Sequence, residues 1–268
     1  EDNISHKLIE LSEIQTVTRL RFFIRKEDNA DYELAYRMDK EPDYELSYKA
    51  ATKYVLRNRK FFELLKEKIQ ASDVLIINDT EKGFISERFV EVLSSIVKEE
   101  NNERDKRKAQ HIIIIADPKT NWQKFQSLPE LIIKPNFNET LKELKLSFPK
   151  DGKDIGHNDE LTRIAAELLK KYGEAIKHFV ITLGKDGAAY IRIKGSSFEI
   201  TMVPAINSEP KKTKSAAHCG DVFTAALGLA LTLENTDILS AVVFANLVGY
   251  LQYNKSDREK VSIQDLLN

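Results

Sequence analysis

The sequence predicts a single α/β domain: a mostly parallel central sheet with helices on both faces, and a small β element at the N-terminus. Three observations lead there. Short, β-branched, nearly all-apolar runs such as Val74-Leu-Ile-Ile77 and Ile112-Ile-Ile-Ile-Ala116 alternate with amphipathic stretches, the pattern of strands covered on both faces by crossover helices. The length of 268 residues suits one large α/β domain, and a chain of that size hides roughly 70–75% of its unfolded surface. The 42% hydrophobic content excludes wholesale disorder.

The elements follow in order. Residues 17–25 and 32–38 read as two strands with a turn at 27–30, so that 1–45 forms a β element or lid remnant before an α/β core spanning 46–268. Residues 46–71 read as one helix, with Tyr54, Phe61, Phe62, Leu65 and Ile69 at spacings that suit one apolar face. Next come a strand at 74–77, a helix at 87–97, a strand at 112–116 and a short helix at 122–125. A strand at 131–133 and a helix at 138–146 precede a long helix from an Asn158 cap to a stop at Gly173. The strand at 179–183 is followed by two antiparallel additions, 188–193 and 198–203, and helices at 221–233 and 238–253 close the chain. The charged stretches 98–108 and 150–154 read as solvated loops, with a partner-binding role as the alternative.

Composition removes several function classes. With 41 basic and 42 acidic side chains, the net charge of −1 gives no global attraction to nucleic acid or anionic lipid, and neither is an expected partner. One cysteine forms no internal disulfide and no thiolate metal cluster, which points to a reducing, cytoplasmic compartment. No run approaches the ~20 apolar residues of a membrane span. The first residues carry no signal-peptide pattern, and a start at Glu1 rather than Met leads us to expect processing or a longer gene product. Ten glycines fall well short of the usual ~7% share.

In open parallel sheets the ligand crevice lies beyond the carboxyl ends of the strands. Four strands here end in polar clusters: Asn78-Asp79-Thr-Glu-Lys82-Gly83, Asp117-Pro118-Lys119, Lys134-Pro-Asn136-Phe-Asn-Glu139 and Thr182-Leu-Gly184-Lys-Asp186-Gly187. Together they describe a rim of carboxylates, amides and lysines suited to a phosphate-bearing ligand with Mg²⁺, which prefers oxygen ligands and retained water. The most informative segment is Ser215-Ala-Ala-His-Cys-Gly-Asp221, a small-residue loop opening an apolar helix whose first residue is expected to be Asp221. Helix N-termini bind anions through backbone N–H groups. A carboxylate there is suited to serve as a general base, or simply to stabilise the helix through its dipole.

These residues jointly resemble the PfkB (ribokinase-like) carbohydrate kinases. That family carries an Asp-Thr-x-Gly-Ala/Cys-Gly-Asp loop opening a helix, preceded by Asn-x-x-Glu and Thr-x-Gly-x-x-Gly motifs. This chain offers Asn136-x-x-Glu139, Thr182-x-Gly184-x-x-Gly187 and Cys219-Gly220-Asp221 in the same order. Thr16-Val-Thr-Arg19-Leu-Arg21, Arg37-Met-Asp39, Asp79-x-x-Lys82-Gly83, Asp117-Pro-Lys119 and Phe244-Ala-Asn246 are similar to the heptose-7-phosphate kinase domain of ADP-heptose synthase. The resemblance implies an ATP- and Mg²⁺-dependent kinase acting on a sugar or sugar phosphate. Asp221 would deprotonate the acceptor hydroxyl, and the backbone of Cys219, Gly220 and Asp221 would bind the γ-phosphate. Asn136 and Glu139 would position metal and phosphate. Thr182, Gly184, Gly187 and Asn246 would line the nucleotide, flanked at its phosphates by Asp117 and Lys119. Arg19, Arg21, Arg37, Asp79 and Lys82 would meet the acceptor, although the arginines read equally as strand-surface charges.

The departures shape a second expectation. Ser215, Ala216 and His218 stand where the signature has aspartate, threonine and its first glycine. A left-handed conformation there costs a non-glycine residue ~1–2 kcal/mol. His218 either donates to a phosphate, helped by Lys211, Lys212 and Lys214, or is a tolerated or disabling replacement. The family's opening strand and its Gly-Gly-Ala-Asn sugar-binding segment have no counterpart before Thr16. The expectation is therefore a complementing N-terminal segment or a homodimer. The alternative is a catalytically weak PfkB-fold protein serving as a nucleotide-binding or assembly subunit.

Overall fold

The computed structural model describes residues 18–25, 32–40, 43–147, 158–206, 218–255 and 259–267. The chain opens with two antiparallel strands, β1 (Thr18–Arg25) and β2 (Tyr32–Lys40), which form their own two-stranded sheet. The expected turn at 27–30 lies outside the described residues, as does the 150–154 stretch.

The single helix expected over 46–71 is two: α1 (Tyr44–Arg57) and α2 (Arg59–Gln70). Asn58 divides them. Its backbone N–H bonds to Tyr54 C=O to close α1, while its side-chain oxygen accepts from Phe61 N–H to open α2. The apolar spacing runs through this junction, so periodicity alone sees one helix. Asn is neutral inside a helix but strongly favoured as a cap.

β3 (Val74–Asp79) starts the central sheet and leads to α3 (Glu87–Arg107). The helix extends ten residues beyond the apolar pattern, which corrects the reading of 98–108 as a loop. Its last turns bury Glu100, Asn101 and Arg104 instead of apolar side chains. Arg104 accounts for this: it donates to Glu100 Oε1 at 3.3 Å, Asp73 Oδ1 at 3.3 Å, Gln110 C=O at 3.0 Å and Ser72 C=O at 2.7 Å. A buried charge is tolerated when its donors are met in this way.

β4 (Ile113–Pro118), a 3₁₀ turn at Trp122–Phe125, β5 (Leu131–Ile133), α4 (Phe137–Leu144), α5 (Asn158–Tyr172) and β6 (His178–Thr182) continue the alternation. After a second 3₁₀ turn at Gly184–Asp186 come β7 (Ala188–Lys194) and β8 (Ser197–Val203). Then follow α6 (Cys219–Leu231), α7 (Ile238–Tyr253) and a short α8 (Ile263–Leu267) that the sequence pattern did not announce.

The six-stranded sheet runs β3-β4-β5-β6-β7-β8, parallel from β3 to β6 and antiparallel thereafter. Side-chain alternation splits the core in two. Ile114, Ala116, Ile133, Phe179 and Ile181 face α2, α3 and α5 with Leu93, Ile164 and Leu168, while Ile115, Ile132 and Val180 meet Leu227 and Ala230 of α6 and Ala241 and Ala245 of α7. The fold is thus the expected mostly parallel α/β sheet with helices on both faces. Every parallel strand ends at the same rim.

Candidate phosphate-binding rim

The rim is built by the last residues of β3, β4, β5 and β6 and by the start of α6. That helix begins at Cys219, two residues earlier than expected, so Asp221 is its third residue. His218 precedes it in the left-handed conformation, φ 63° and ψ −3°, and makes no side-chain cap bond. The first intrahelical bond runs from Val222 N–H to His218 C=O at 2.9 Å. The helix's own pattern therefore leaves the amides of its first turn to other acceptors.

Asp221 is exposed, at 63% of its side chain. Asn78 Nδ2 donates to its Oδ1 at 3.5 Å, and His218 Nδ1 lies 3.7 Å from its Oδ2. One turn along, Thr224 Oγ1 sits 2.8 Å from Gly220 C=O and 3.3 Å from Asp117 Oδ2. The helix start is thus tied to the carboxyl ends of β3 and β4.

Asp117 also pairs with Lys134 Nζ at 2.9 Å. Lys134 is buried, directly after the apolar β5. Next to it, Asn136 and Glu139 form a capping box for α4: Asn136 Oδ1 accepts from Glu139 N–H at 2.9 Å, and Glu139 Oε2 accepts from Asn136 N–H at 2.8 Å. Burial pushes the Glu139 carboxyl above its ordinary range; the Asn136 N–H works against that shift, and the Asp117 carboxylate adds to it. Lys134 and Lys119 are close enough to oppose that rise. Thr182 joins through a parallel bridge with Asn136 and through its N–H to Pro135 C=O at 3.0 Å.

Gly184 and Gly187 bound the turn after β6. At Gly187 a side chain is excluded: φ is 94°, and a Cβ would fall 2.1 Å from Val203 C=O. In the same turn Asp186 Oδ2 is buried with no hydrogen-bond partner among the described residues. Asn246 Nδ2, on α7, donates to Pro204 C=O at 2.9 Å, so it too approaches the end of β8.

Asp79 departs from expectation. It is 2% exposed, forms an ion pair with the equally buried Lys124, and accepts from Glu81 N–H at 3.0 Å. Its carboxylate faces the interior and braces the loop carrying Lys82. Arg19, Arg21 and Arg37 fall on the two-stranded sheet, where the register opposes Arg21 to Arg37 and Arg19 to Asp39. Ser215, Ala216, Lys211, Lys212 and Lys214 lie outside the described residues. Sequence reasoning missed Lys124 and Thr224, and it placed Lys134 and Asn78 on the rim without their pairings to Asp117 and Asp221. A lysine directly after an all-apolar strand was the one available signal. A groove of about 550 Å³ beside Arg59, Lys60, Glu63, Leu64 and Glu67 of α2 includes none of these residues. Among the described residues, no three His, Cys, Asp or Glu side chains cluster as a ready-made metal cage, and no helix is long and apolar enough to cross a membrane.

Comparison with known proteins gives this rim a context. The model of the pfkB family of carbohydrate kinases matches residues 85–258. No curated protein matches the chain. Among solved structures, phosphofructokinase-2 from Escherichia coli in complex with potassium is 18% identical with a TM-score of 0.59, covering 92% of this chain and 68% of its own. Ribokinase from Giardia lamblia is 14% identical, TM-score 0.56, covering 89% and 66%. Ribokinase from Arabidopsis thaliana, complexed with ribose and ATP, is 18% identical, TM-score 0.52, covering 75% and 54%. The chain therefore spans between 54% and 68% of these three structures.

Proposed function

The chain belongs to the pfkB family of carbohydrate kinases, and from that premise we propose that it is an ATP-dependent sugar or sugar-phosphate kinase, most like heptose-7-phosphate kinase. The observation that carries the reading is Asp221: an exposed carboxylate in the first turn of α6, held by Asn78 at the positive end of that helix's dipole. Phosphoryl transfer asks mainly for alignment and charge stabilisation, and that geometry offers both.

In this reading Asp221 takes the proton of a sugar hydroxyl as that oxygen bonds to the γ-phosphorus. The bond from the γ-phosphorus to the β–γ bridging oxygen breaks, and ADP leaves. The N–H groups of Cys219, Gly220 and Asp221 receive the negative charge on the transferring group, where a single lost donor can cost roughly 2.7–4 kcal/mol. Lys119, Asp117, Asn136 and Glu139 sit around the phosphates, with Lys134 fixing the Asp117 carboxylate. Thr182, Gly184, Gly187 and Asn246 border the nucleoside, and the unsatisfied Asp186 oxygen suits a hydroxyl or amino donor there.

The donor set fits Mg²⁺, which typically takes one or two carboxylates together with waters and phosphate oxygens rather than a protein cage. Glu139, with one oxygen committed to the capping box, and Asn136 would hold it. Bound there, Mg²⁺ would neutralise charge on the nucleotide phosphates. Lys82, Arg19, Arg21 and Arg37 are assigned to the acceptor, on the strength of the heptose-7-phosphate kinase resemblance. Asp79 is reassigned to bracing the loop. The single thiol fits a reducing compartment such as the cytoplasm.

The test is a coupled ATP-consumption assay with heptose 7-phosphate, comparing the chain with Asp221→Ala, both checked for folding and ATP binding. Turnover that falls by three or more orders of magnitude in the variant supports the reading. Equal background turnover in both replaces it with a nucleotide-binding or assembly role.

A further inference from the structure

Gly228 of α6 shows which face of β3 that helix covers: an added Cβ would lie 3.2 Å from Ile76 Cδ1 and 3.4 Å from Val74 Cγ1. Side chains alternate along a strand, so Asn78, next in that series, belongs to the same face. The parallel register carries the face across the sheet. Ile76 lies beside Ile115, and Ile115 beside Ile132; Ile115 and Ile132 belong to one apolar cluster with Leu227 of α6. One step toward the carboxyl ends, the register sets Asn78 beside Asp117. Lys134, two residues after Ile132, reaches Asp117 Oδ2 at 2.9 Å. Asn78, Asp117 and Lys134 therefore form a polar row under the start of α6, next to an apolar row under its middle.

The row meets α6 at two points. Thr224 Oγ1 is 3.3 Å from Asp117 Oδ2, whose charge Lys134 balances from a buried position. Asn78 Nδ2 donates to Asp221 Oδ1 at 3.5 Å. The residue type at 78 matters for a carboxylate that must take up a proton. A cation there would stabilise the charged form and weaken the base, and an anion would keep it protonated to higher pH. An amide donates a hydrogen bond and adds no charge. The contact also distinguishes the two oxygens. Oδ1 is engaged by Asn78, whereas Oδ2 has His218 Nδ1 at 3.7 Å, beyond hydrogen-bond distance.

We infer that Asn78 is a positioning residue for the base: it fixes Oδ1 of Asp221 and leaves Oδ2 as the oxygen that receives the proton. The inference rests on the kinase reading and deepens it. The proton of the acceptor hydroxyl goes to Oδ2 as the hydroxyl oxygen bonds to the γ-phosphorus, the bond to the β–γ bridging oxygen breaks, and ADP leaves. Asn78 acts through Asp221 and touches neither substrate.

The test measures ATP turnover with heptose 7-phosphate against pH for the full chain, Asn78→Ala, Asn78→Asp and Asp221→Ala. In Asn78→Ala, kcat is expected to fall about tenfold or more, the scale of a hydrogen bond to a charged group, with the KM for ATP unchanged. Asn78→Asp keeps the shape of the side chain, which covers any misfolding of Asn78→Ala, and places a second carboxylate beside the base. Its acid limb of kcat is expected to move up by about one pH unit or more. His218 and the Asp117–Lys134 pair are common to all these variants except for the base itself, so a displaced limb reports position 78; a purely structural loss would lower kcat evenly across pH. Turnover that depends on Asp221 but keeps its kcat and its acid limb in both Asn78 variants overturns this assignment alone. Equal turnover in the unaltered chain and Asp221→Ala overturns the kinase reading and the assignment with it.

Discussion

Replacing His218 by glycine is expected to stabilise the protein, although it removes a side chain at the mouth of the site. His218 occupies φ 63°, ψ −3° as the residue before α6. The left-handed region costs an L-residue roughly 1–2 kcal/mol, and glycine returns about 0.5–1 kcal/mol of that through its freer unfolded chain. The imidazole contributes little in compensation. It makes no cap bond, and its 3.7 Å approach to Asp221 joins two side chains that are each more than half exposed, a contact of at most a few tenths of a kcal/mol. The net expectation is a gain of about 0.5–1 kcal/mol, read as a rise of roughly 0.2–0.3 M in the urea midpoint at an m-value near 3 kcal/mol/M. His218→Val is the control: a β-branched residue is a true outlier at positive φ, and it should lose about 1 kcal/mol or more. If glycine destabilises, or if both variants shift equally, the strain argument is wrong. On the kinase reading, ATP turnover of the glycine variant stays level or rises; a fall of tenfold or more assigns the imidazole to the phosphate.

Arg104→Met should cost about 2–4 kcal/mol, because it leaves the buried Glu100 to Arg107 alone and removes the donor from the carbonyls of Gln70, Ser72 and Gln110, and calorimetry should show a fall of roughly 4–16 °C in Tm. Lys124→Met should be similarly costly through the orphaned Asp79, and the double variant Asp79→Leu with Lys124→Met should recover most of the loss. Gly187→Ala should lose more than the ~1–2 kcal/mol of its positive φ, since the added Cβ meets the backbone of residues 203–205; denaturant titration measures it. Burial, reinforced by the Arg192 charge, holds His178 below the ordinary histidine range, with its Nδ1 2.8 Å from the Tyr190 hydroxyl. The unfolded chain therefore takes up a proton first. Stability should be full above about pH 6.5 and fall as pH drops from there through the depressed native value. His178→Gln should flatten that slope in urea titrations at successive pH values.

The parallel strands were legible because burial on both faces writes itself as unbroken apolar runs: Ile113–Pro118 and His178–Thr182 lie within a residue or two of their expected bounds. The end of α3 was not legible, because its buried face is Glu100, Asn101 and Arg104, which look solvated until their partners at Asp73, Ser72 and Gln110 are known. The same reason explains Asp79. Its partner Lys124 lies 45 residues away, and only the folded sheet brings them together. In the site, the backbone demand at His218 was legible from a glycine's absence, whereas the Lys134–Asp117–Thr224 connection joins three elements distant in the chain.

Asn58 carries a consequence for how this chain can change length. One residue closes α1 and opens α2, so the corner has no spare position. Deleting it would either fuse the helices or turn α2 by about 100° about its axis, given 3.6 residues per turn. Phe61, Phe62, Leu65 and Ile69 would then leave the core they pack against. An insertion separates the two caps and loosens the corner. Among descendants of this sequence, residue 58 should therefore be a point where substitutions are filtered by cap chemistry and length variants do not survive.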